Sequence, residues 1–145
     1  MKHFILLFIL NVFLLSQTSA QSYGLGDKAQ GGIVILSNKK SGIVVSENVL
    51  GAMSWGDGKK ACEDLVLNGY DDWRLPSEKE ITTIYYGLYV KGKTSLPTGF
   101  FWLRKENDGI KHLGWCFDFK DGNIYNGHIK SNTNYILPVR SYSLK

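Results

Sequence analysis

The chain has few of the residues that carry catalytic or metal chemistry. Among its 145 residues are two cysteines and three histidines, and it contains no His-Glu-x-x-His pattern, no cysteine cluster and no Gly-x-Ser-x-Gly nucleophile elbow. His112 and His128, the two histidines beyond the N-terminal segment, show no metal-ligand spacing. These absences favour a protein that is not an enzyme, and they predict neither a metal ion nor a cofactor.

The chain also lacks a strong charge of one sign. It has 17 Lys and Arg against 13 Asp and Glu, and its lysines are scattered along the sequence. Domains that bind nucleic acid are usually more basic and concentrate their cations on one face. We therefore expect no nucleic-acid partner, whereas an acidic polymer or a negatively charged cell surface remains compatible with this mild excess.

Only one long apolar run is present, at the N-terminus. Lys2 and His3 precede the apolar segment 4–15, and a polar exit ends at Ala20, which is the layout of a signal peptide. The run is shorter than the ~20 residues that a membrane span needs, and no second long run follows. We predict an exported protein, periplasmic or extracellular, with no integral membrane span, a signal peptide at residues 1–20 and one domain at residues 21–145.

Apolar spacing predicts a hairpin, then two helices, then a series of strands. Ser54 with Asp57, and Ser77 with Glu80, are capping signals that start the helices, and Gly69 is a stop for the first one. The predicted elements are a hairpin of Ile33–Leu36 and Ile43–Val45, helices near Trp55–Asn68 and Ser77–Leu88, and strands at Phe100–Leu103, Leu113–Phe119, Ile124–Ile129 and Tyr135–Tyr142. This order predicts an α+β domain, with two helices packed on a mainly antiparallel sheet.

Cys62 and Cys116 both lie in the part of the chain that is predicted to be exported, where an oxidising compartment permits a disulfide. A bridge requires that the two Cβ vectors converge. Cys62 lies on the side of its predicted helix that faces the core. Strand alternation, however, places Cys116 on the face opposite Trp115 and Phe117. A Cys62–Cys116 disulfide is therefore left open, and two unbridged thiols are favoured.

A series of short motifs covers nearly the whole chain beyond the signal peptide. The most specific is Asp71-Asp72-Trp73-Arg74-Leu75-Pro76, and the others are Gly31-Gly32-Ile33-Val34, Ala61-Cys62-Glu63-Asp64-Leu65, Phe101-Trp102, Gly114-Trp115, Asp121-Gly122 and Val139-Arg140. In these motifs and their order the chain resembles the bacterial domain at the C-terminus of the Legionella collagen-like adhesins. The resemblance implies a C-type-lectin-like fold and a surface role in adhesion or glycan binding.

The chain departs from this family in several places. Ser141 stands where some members have a cysteine, and Trp102 is followed by Leu103 instead of serine. The collagen-like stalk of the adhesins is absent from this sequence, so the oligomeric state is left open. The Glu-Pro-Asn, Gln-Pro-Asp and Trp-Asn-Asp triplets of calcium-dependent lectins are missing as well, so we predict no calcium-dependent sugar site.

Four residues are interpreted as structural. We expect one carboxylate of the acidic pair, assigned to Asp72, and the guanidinium of Arg74 to make hydrogen bonds that fix the turn between the helices, with Trp73 buried beneath it. Trp115 is expected in the core because of the strand pattern. A catalytic role for the carboxylates is the weaker alternative, since it would need a cleft and a perturbed pKa.

Polar and aromatic residues are concentrated near the last strands, where they could stack on a ligand and form hydrogen bonds with it. An ordinary polar loop is the alternative. The predicted ligand-binding residues are Trp102, Lys111, Tyr125, Asn126, His128, Lys130, Asn132 and Asn134.

The function predicted from the sequence is a non-enzymatic binding or adhesion module that recognises a glycan or a cell-surface protein. One alternative is a cysteine-using enzyme distantly related to the formylglycine-generating proteins, which share the lectin-like scaffold. Such an enzyme would need an exposed, reactive thiol. The other alternative is a structural subunit of a surface layer.

Overall fold

Two β-sheets and two helices form the part of the protein that the computed structural model describes, residues 21–145; the signal peptide predicted at residues 1–20 lies outside it. The strands are β1 (Lys28–Ala29), β2 (Gly32–Ser37), β3 (Ser41–Val45), β4 (Ala52–Met53), β5 (Phe100–Glu106), β6 (Leu113–Asp118), β7 (Asn123–Ile129), β8 (Asn134–Tyr135) and β9 (Val139–Ser143). The helices are α1 (Trp55–Glu63) and α2 (Glu78–Ile84), and a π-helical turn, Tyr85–Tyr89, continues α2.

The first sheet has the strand order β1-β2-β3-β9 and the second has the order β4-β8-β5-β6-β7. Neighbouring strands are antiparallel, except that β5 and β8 are parallel where Phe101 meets Tyr135. The predicted α+β class with two helices and mainly antiparallel pairing is confirmed. The predicted single sheet is in fact two.

Both helices begin at the predicted caps. The Ser54 hydroxyl accepts a hydrogen bond from the Asp57 amide at 3.2 Å, and Ser77 and Glu80 form a full capping box. The predicted end of α1 at Asn68 is wrong, because Leu67 and Tyr70 exchange backbone hydrogen bonds around Asn68 and Gly69. These two turn residues have φ angles of 53° and 82°. An Asn-Gly pair favours such a tight turn over a helix.

The predicted last strand, Tyr135–Tyr142, is divided. Its start belongs to β8 in the second sheet, and its end belongs to β9 in the first sheet. Pro138 lies between them and has no N–H group to donate to a ladder. The prediction of one continuous strand is therefore wrong, and this segment carries the chain from one sheet to the other.

The core consists of three apolar clusters that cover the central strands on both faces. Strand alternation sends Phe101 and Leu103 of β5 into one cluster and Trp102 into another. The first cluster holds Ile33, Ile35, Val45, Ile81, Ile84, Leu88, Leu96, Phe101, Leu103, Phe117, Phe119, Leu137 and Val139; the second holds Trp55, Cys62, Leu75, Trp102, Cys116 and Ile136; the third holds Val34, Val44, Trp73 and Tyr142.

Trp73 is buried as predicted, with 2% of its surface exposed, and its indole N–H donates to the Tyr70 carbonyl at 3.0 Å. Trp115 is only half-buried, which corrects its expected place in the core. Its ring packs against the edge of the first cluster, and Nζ of Lys105 lies 3.8 Å from the ring centroid. Among residues 21–145, only the edge strand β7 follows the strand of Trp115 in this sheet.

Asp72 and Arg74 each have a different partner. Arg74 donates two hydrogen bonds to Glu80, both at 2.8 Å, whereas Asp72 accepts two from Arg140 at 2.5 and 3.2 Å. Arg140 also donates to the Gln30 carbonyl at 2.7 Å. Asp72 and Arg74 therefore do more than fix the turn between the helices. The Arg74–Glu80 pair holds α2, and the Asp72–Arg140 pair ties the segment to β9 of the first sheet.

Glu80 is a buried carboxylate that remains charged because of its partners. Burial favours a higher pKa for Glu80, but hydrogen bonds from Arg74 and Ser77 outweigh it and lower the pKa. A depressed folded-state pKa contributes stability above the unfolded pKa of about 4.3, and this contribution is lost as the pH falls through the folded-state pKa.

We predict that Glu80→Gln lowers the free energy of unfolding by about 1.5 to 3 kcal/mol at neutral pH, because Arg74 loses a charged partner. The loss should shrink as the pH falls through the lowered folded-state pKa of Glu80, because the wild-type carboxylate is then protonated as well. Urea unfolding at a series of pH values measures this. Glu63→Gln is the control, since Glu63 lies 3.7 Å from Lys59 in an exposed pair and should change stability little. A loss in the free energy of unfolding that is the same at every pH would contradict the prediction.

We also predict that Trp73→Ala lowers the free energy of unfolding by about 3 to 5 kcal/mol, because it leaves a cavity in the third cluster. Thermal and urea unfolding measure the effect. Val66→Ala is the control, as the Val66 side chain is 72% exposed. An unchanged midpoint in the Trp73 variant would show that this indole does not support the fold.

Candidate functional site

The second sheet ends at β7, which pairs with β6 on one side only among the described residues. Asn126 and Gly127 of β7 together lie opposite Trp115 of β6, so the strand contains a β-bulge. A bulge bends an edge strand away from regular pairing with a further strand. A depression of about 570 Å³ follows this edge, lined by Trp115, Ile124, Tyr125, Asn126, Gly127 and His128.

Three rings cluster beside this edge, on the face of the sheet that also bears Trp102. The ring centroids of Phe100 and His128 are 4.3 Å apart, and those of Phe100 and Tyr125 are 5.8 Å apart in an edge-on arrangement. Tyr125 is 39% exposed, and the other two rings are half-buried. We call Phe100, Tyr125 and His128 the aromatic slot. It presents partly accessible ring surface at the margin of the second cluster, against which Phe100 packs.

Hydrogen bonds hold two rings of the slot in place. The side-chain amide nitrogen of Asn134 lies 3.1 Å from Nδ1 of His128. Because an amide NH₂ group only donates, Nδ1 accepts, and the neutral imidazole carries its proton on Nε2. The Tyr125 hydroxyl donates to Asp121 at 2.5 Å, and the other carboxylate oxygen of Asp121 accepts from the Asn123 amide at 2.9 Å. The slot therefore has a polar group at each end.

The hydrogen bond between Tyr125 and Asp121 also affects the pKa values of both groups. The hydrogen bond to Asp121 raises the pKa of Tyr125, and the same hydrogen bond lowers the pKa of Asp121. At neutral pH, Asp121 is ionised and Tyr125 is protonated. The tyrosine is a hydrogen-bonding group at this pH and not a nucleophile.

Of the two lysines that the sequence predicts as ligand-binding residues, Lys130 already has partners within the chain. Nζ of Lys130 donates to the carboxylate of Glu106 and, at 2.7 Å, to the carbonyl of Lys111. It also lies 4.6 Å from the centroid of the Trp55 ring. The charge of Lys130 is thus compensated locally, and Lys111 is exposed.

The other predicted ligand-binding residues are distributed around the slot. Asn134 is buried beneath it, with 5% of its surface exposed. Asn126 lies at the bulge, where its carbonyl accepts a hydrogen bond from Asn107 at 2.9 Å, and Asn132 is exposed in the turn that follows β7. The structure thus brings Tyr125, His128 and Asn134 into one group.

Trp102 is the exception and is corrected here: it is fully buried, and its indole N–H donates to the Met53 carbonyl at 3.0 Å. α1 covers this face of the sheet at Trp102, so the ring packs with Trp55 in the second cluster. A ligand on the surface therefore cannot reach it.

The sequence analysis missed Phe100 and Asp121. Phe100 is two residues before Trp102, so alternation puts it on the same face, but only the structure shows that α1 covers one position and leaves the other half-open. Asp121 enters the sequence analysis only as part of the Asp121-Gly122 motif, and its position four residues before Tyr125 is the signal that could have linked the two.

The cysteines do not form a disulfide. Cys62 and Cys116 are free thiols, fully buried in the second cluster. Cys116 does face away from Phe117, as predicted, but that face is itself buried against α1. Burial is the main factor that raises the pKa of each thiol to about 12, and Glu63 and Asp118 add smaller effects at Cys62 and Cys116, respectively. Thiolate chemistry of the kind that the enzyme alternative needs is therefore unsupported by these positions.

Two further searches cover residues 21–145. Nowhere in that range do three or more His, Cys, Asp or Glu side chains come together in a group that could hold a metal ion. None of its helices is long and apolar enough to cross a membrane.

The chain is thus a two-sheet α+β domain with an exposed aromatic slot and two buried thiols. The Lcl C-terminal domain family matches residues 34–140, so the chain belongs to this family. Membership confirms the resemblance to the C-terminal domain of the collagen-like adhesins and places the protein among adhesion-related modules. No curated protein matches the chain significantly.

We predict that neither thiol of the folded chain reacts with a disulfide reagent such as Ellman's reagent near pH 8, because a pKa of about 12 leaves almost no thiolate. After denaturation both thiols should react. Absorbance of the released chromophore gives the count. No reaction even after denaturation would indicate a disulfide, and fast labelling of the folded chain would support the enzyme alternative.

Proposed function

We propose that this protein is an exported adhesion module that binds a glycan through the aromatic slot. The observation that carries the proposal is the grouping of three partly accessible rings with hydrogen-bonding groups at both ends of the slot. The predicted signal peptide and the family support the exported and adhesive parts of the proposal. A C-type-lectin-like fold is part of the same proposal, and the family resemblance supports it.

The chemistry of the slot suits a sugar. A pyranose ring has an apolar C–H face, which can pack on an aromatic ring, and a rim of hydroxyl groups, which need hydrogen-bond partners. Phe100 and Tyr125 provide the ring surface. Nε2–H of His128 can donate to a hydroxyl, and the carboxylate of Asp121 can accept from one.

The slot is also held in shape before a ligand arrives. Phe100 is fixed by its place in β5, His128 by Asn134, and Tyr125 by Asp121. Fixed side chains lose little rotamer freedom on binding, so more of the contact energy appears as affinity.

We predict that Tyr125→Ala weakens glycan binding by about fivefold or more, because one ring of this type contributes on the order of 1 kcal/mol. Tyr125→Phe should bind more tightly than Tyr125→Ala, since it retains the ring. A glycan array with residues 21–145, followed by calorimetric titration of each variant with the best ligand, measures this.

Tyr86→Ala is the matched control, because Tyr86 is 54% exposed in the π-helical turn and outside the slot. Thermal unfolding should confirm that all three variants are folded. Glycan affinity that survives in Tyr125→Ala would move the site away from the slot. Binding to a cell-surface protein, with no glycan bound, would support the other ligand class expected from the sequence.

A further inference from the structure

Two Asn-Gly pairs lie within residues 21–145, Asn68-Gly69 and Asn126-Gly127. Asparagine is a thermolabile residue, and it reacts most readily when glycine follows, because glycine has no Cβ to hinder attack by its own amide nitrogen. That nitrogen attacks the side-chain carbonyl carbon of the asparagine. Both glycines are open in the structure, since a Cβ added at either would meet nothing within 4 Å. The surroundings of the two asparagines therefore decide which pair reacts.

Asn68 is held in place by three hydrogen bonds. Its side-chain amide nitrogen donates to the Gly31 carbonyl at 2.8 Å. Leu67 and Tyr70, which flank the pair, exchange two backbone hydrogen bonds, at 2.9 and 3.0 Å. These contacts fix both the side chain and the backbone of the turn. The attack requires both to rotate, so Asn68 must first lose these hydrogen bonds.

Asn126 is restrained much less. Asn126 and Gly127 are both exposed, and both lie opposite Trp115, so neither has a partner of its own in the ladder between β6 and β7. A bulge leaves such a residue outside the regular pairing of the strand. Among residues 21–145, no hydrogen bond holds the Asn126 side chain, and its backbone carbonyl accepts one from the exposed Asn107. The side chain and the next amide can therefore approach each other without loss of a tight turn.

We infer that Asn126-Gly127 is a site of spontaneous deamidation and that the fold protects Asn68-Gly69 from the same reaction. The Gly127 nitrogen forms a bond to the side-chain carbonyl carbon of Asn126 and loses its proton, and the side-chain nitrogen leaves as ammonia. Water then adds to one of the two carbonyl carbons of the cyclic imide. Which of the two C–N bonds breaks decides whether the product is aspartate or isoaspartate.

The modification changes the edge of the sheet that bears the aromatic slot. Asn126 lines the depression along β7, together with Tyr125 and His128. Either product replaces a neutral amide there with a carboxylate, and isoaspartate also adds a methylene group to the backbone of the bulge. The slot of an aged molecule therefore differs in charge and shape from that of a new one. This inference goes beyond the proposed function and holds for any ligand of the slot.

Peptide mapping by mass spectrometry tests the inference on folded residues 21–145 incubated at mildly alkaline pH. Deamidation appears at each pair as a mass gain of about 1 Da. We expect Asn126 to convert at least about tenfold faster than Asn68, because the Asn68 turn must lose three hydrogen bonds first. In concentrated urea, where the fold is lost, the two rates should become similar.

Gly127→Ala is the matched variant. Gly127 does not have a positive φ and has open space around it, so alanine should fit the fold. Its methyl group hinders the attacking nitrogen and should slow conversion at Asn126 several-fold. Thermal unfolding checks that the variant is folded. Equal conversion at both pairs of the folded chain, no conversion at Asn126, an unchanged rate in Gly127→Ala, or a difference between the pairs that persists in urea would overturn the inference.

Discussion

The burial of β5 and β6 on both faces is the constraint on which the rest of this structure depends. Phe101 and Phe117 pack on one side of the second sheet, and Trp102 and Cys116 pack on the other, beneath α1. Burial of a large side chain contributes roughly 1.5 to 3 kcal/mol, so these two strands are held from both sides. β7 continues the same sheet beyond this cover. Its side chains are consequently available to solvent, and the aromatic slot lies where the cover ends.

The polar pairs around Trp73 connect the remaining parts to this centre. Arg74 with Glu80 holds the start of α2, and Asp72 with Arg140 joins the same short segment to the first sheet. Glu80 is buried and Arg74 is half-buried, so removal of Arg74 would leave a buried carboxylate without its charged partner. The most family-like motif of the chain is thus a structural junction. Of its two carboxylates, Asp72 accepts hydrogen bonds from Arg140, which argues against the use of Asp71 and Asp72 as a paired acid and base.

The charges near the slot differ from the net charge of the chain. The net charge is +4, yet the carboxylates near Tyr125 have no salt-bridge partner among the described residues, whereas Lys130 has one. At physiological salt, exposed charges act mainly over about 8 Å. A ligand therefore experiences the few groups that surround the slot.

The sequence by itself determined the local features: both helix caps, the first hairpin, the strands β5 to β7, and the burial of Trp73 and Cys62, because these follow from neighbouring residues and from alternation along one element. It also carried enough motifs to identify the family. Only the tertiary structure decided which faces are covered. It buried Trp102 and left Phe100 half-open, divided the last predicted strand between two sheets, and paired Asp72 with Arg140 across 68 positions of sequence. Those outcomes depend on contacts between distant segments, which no local pattern encodes.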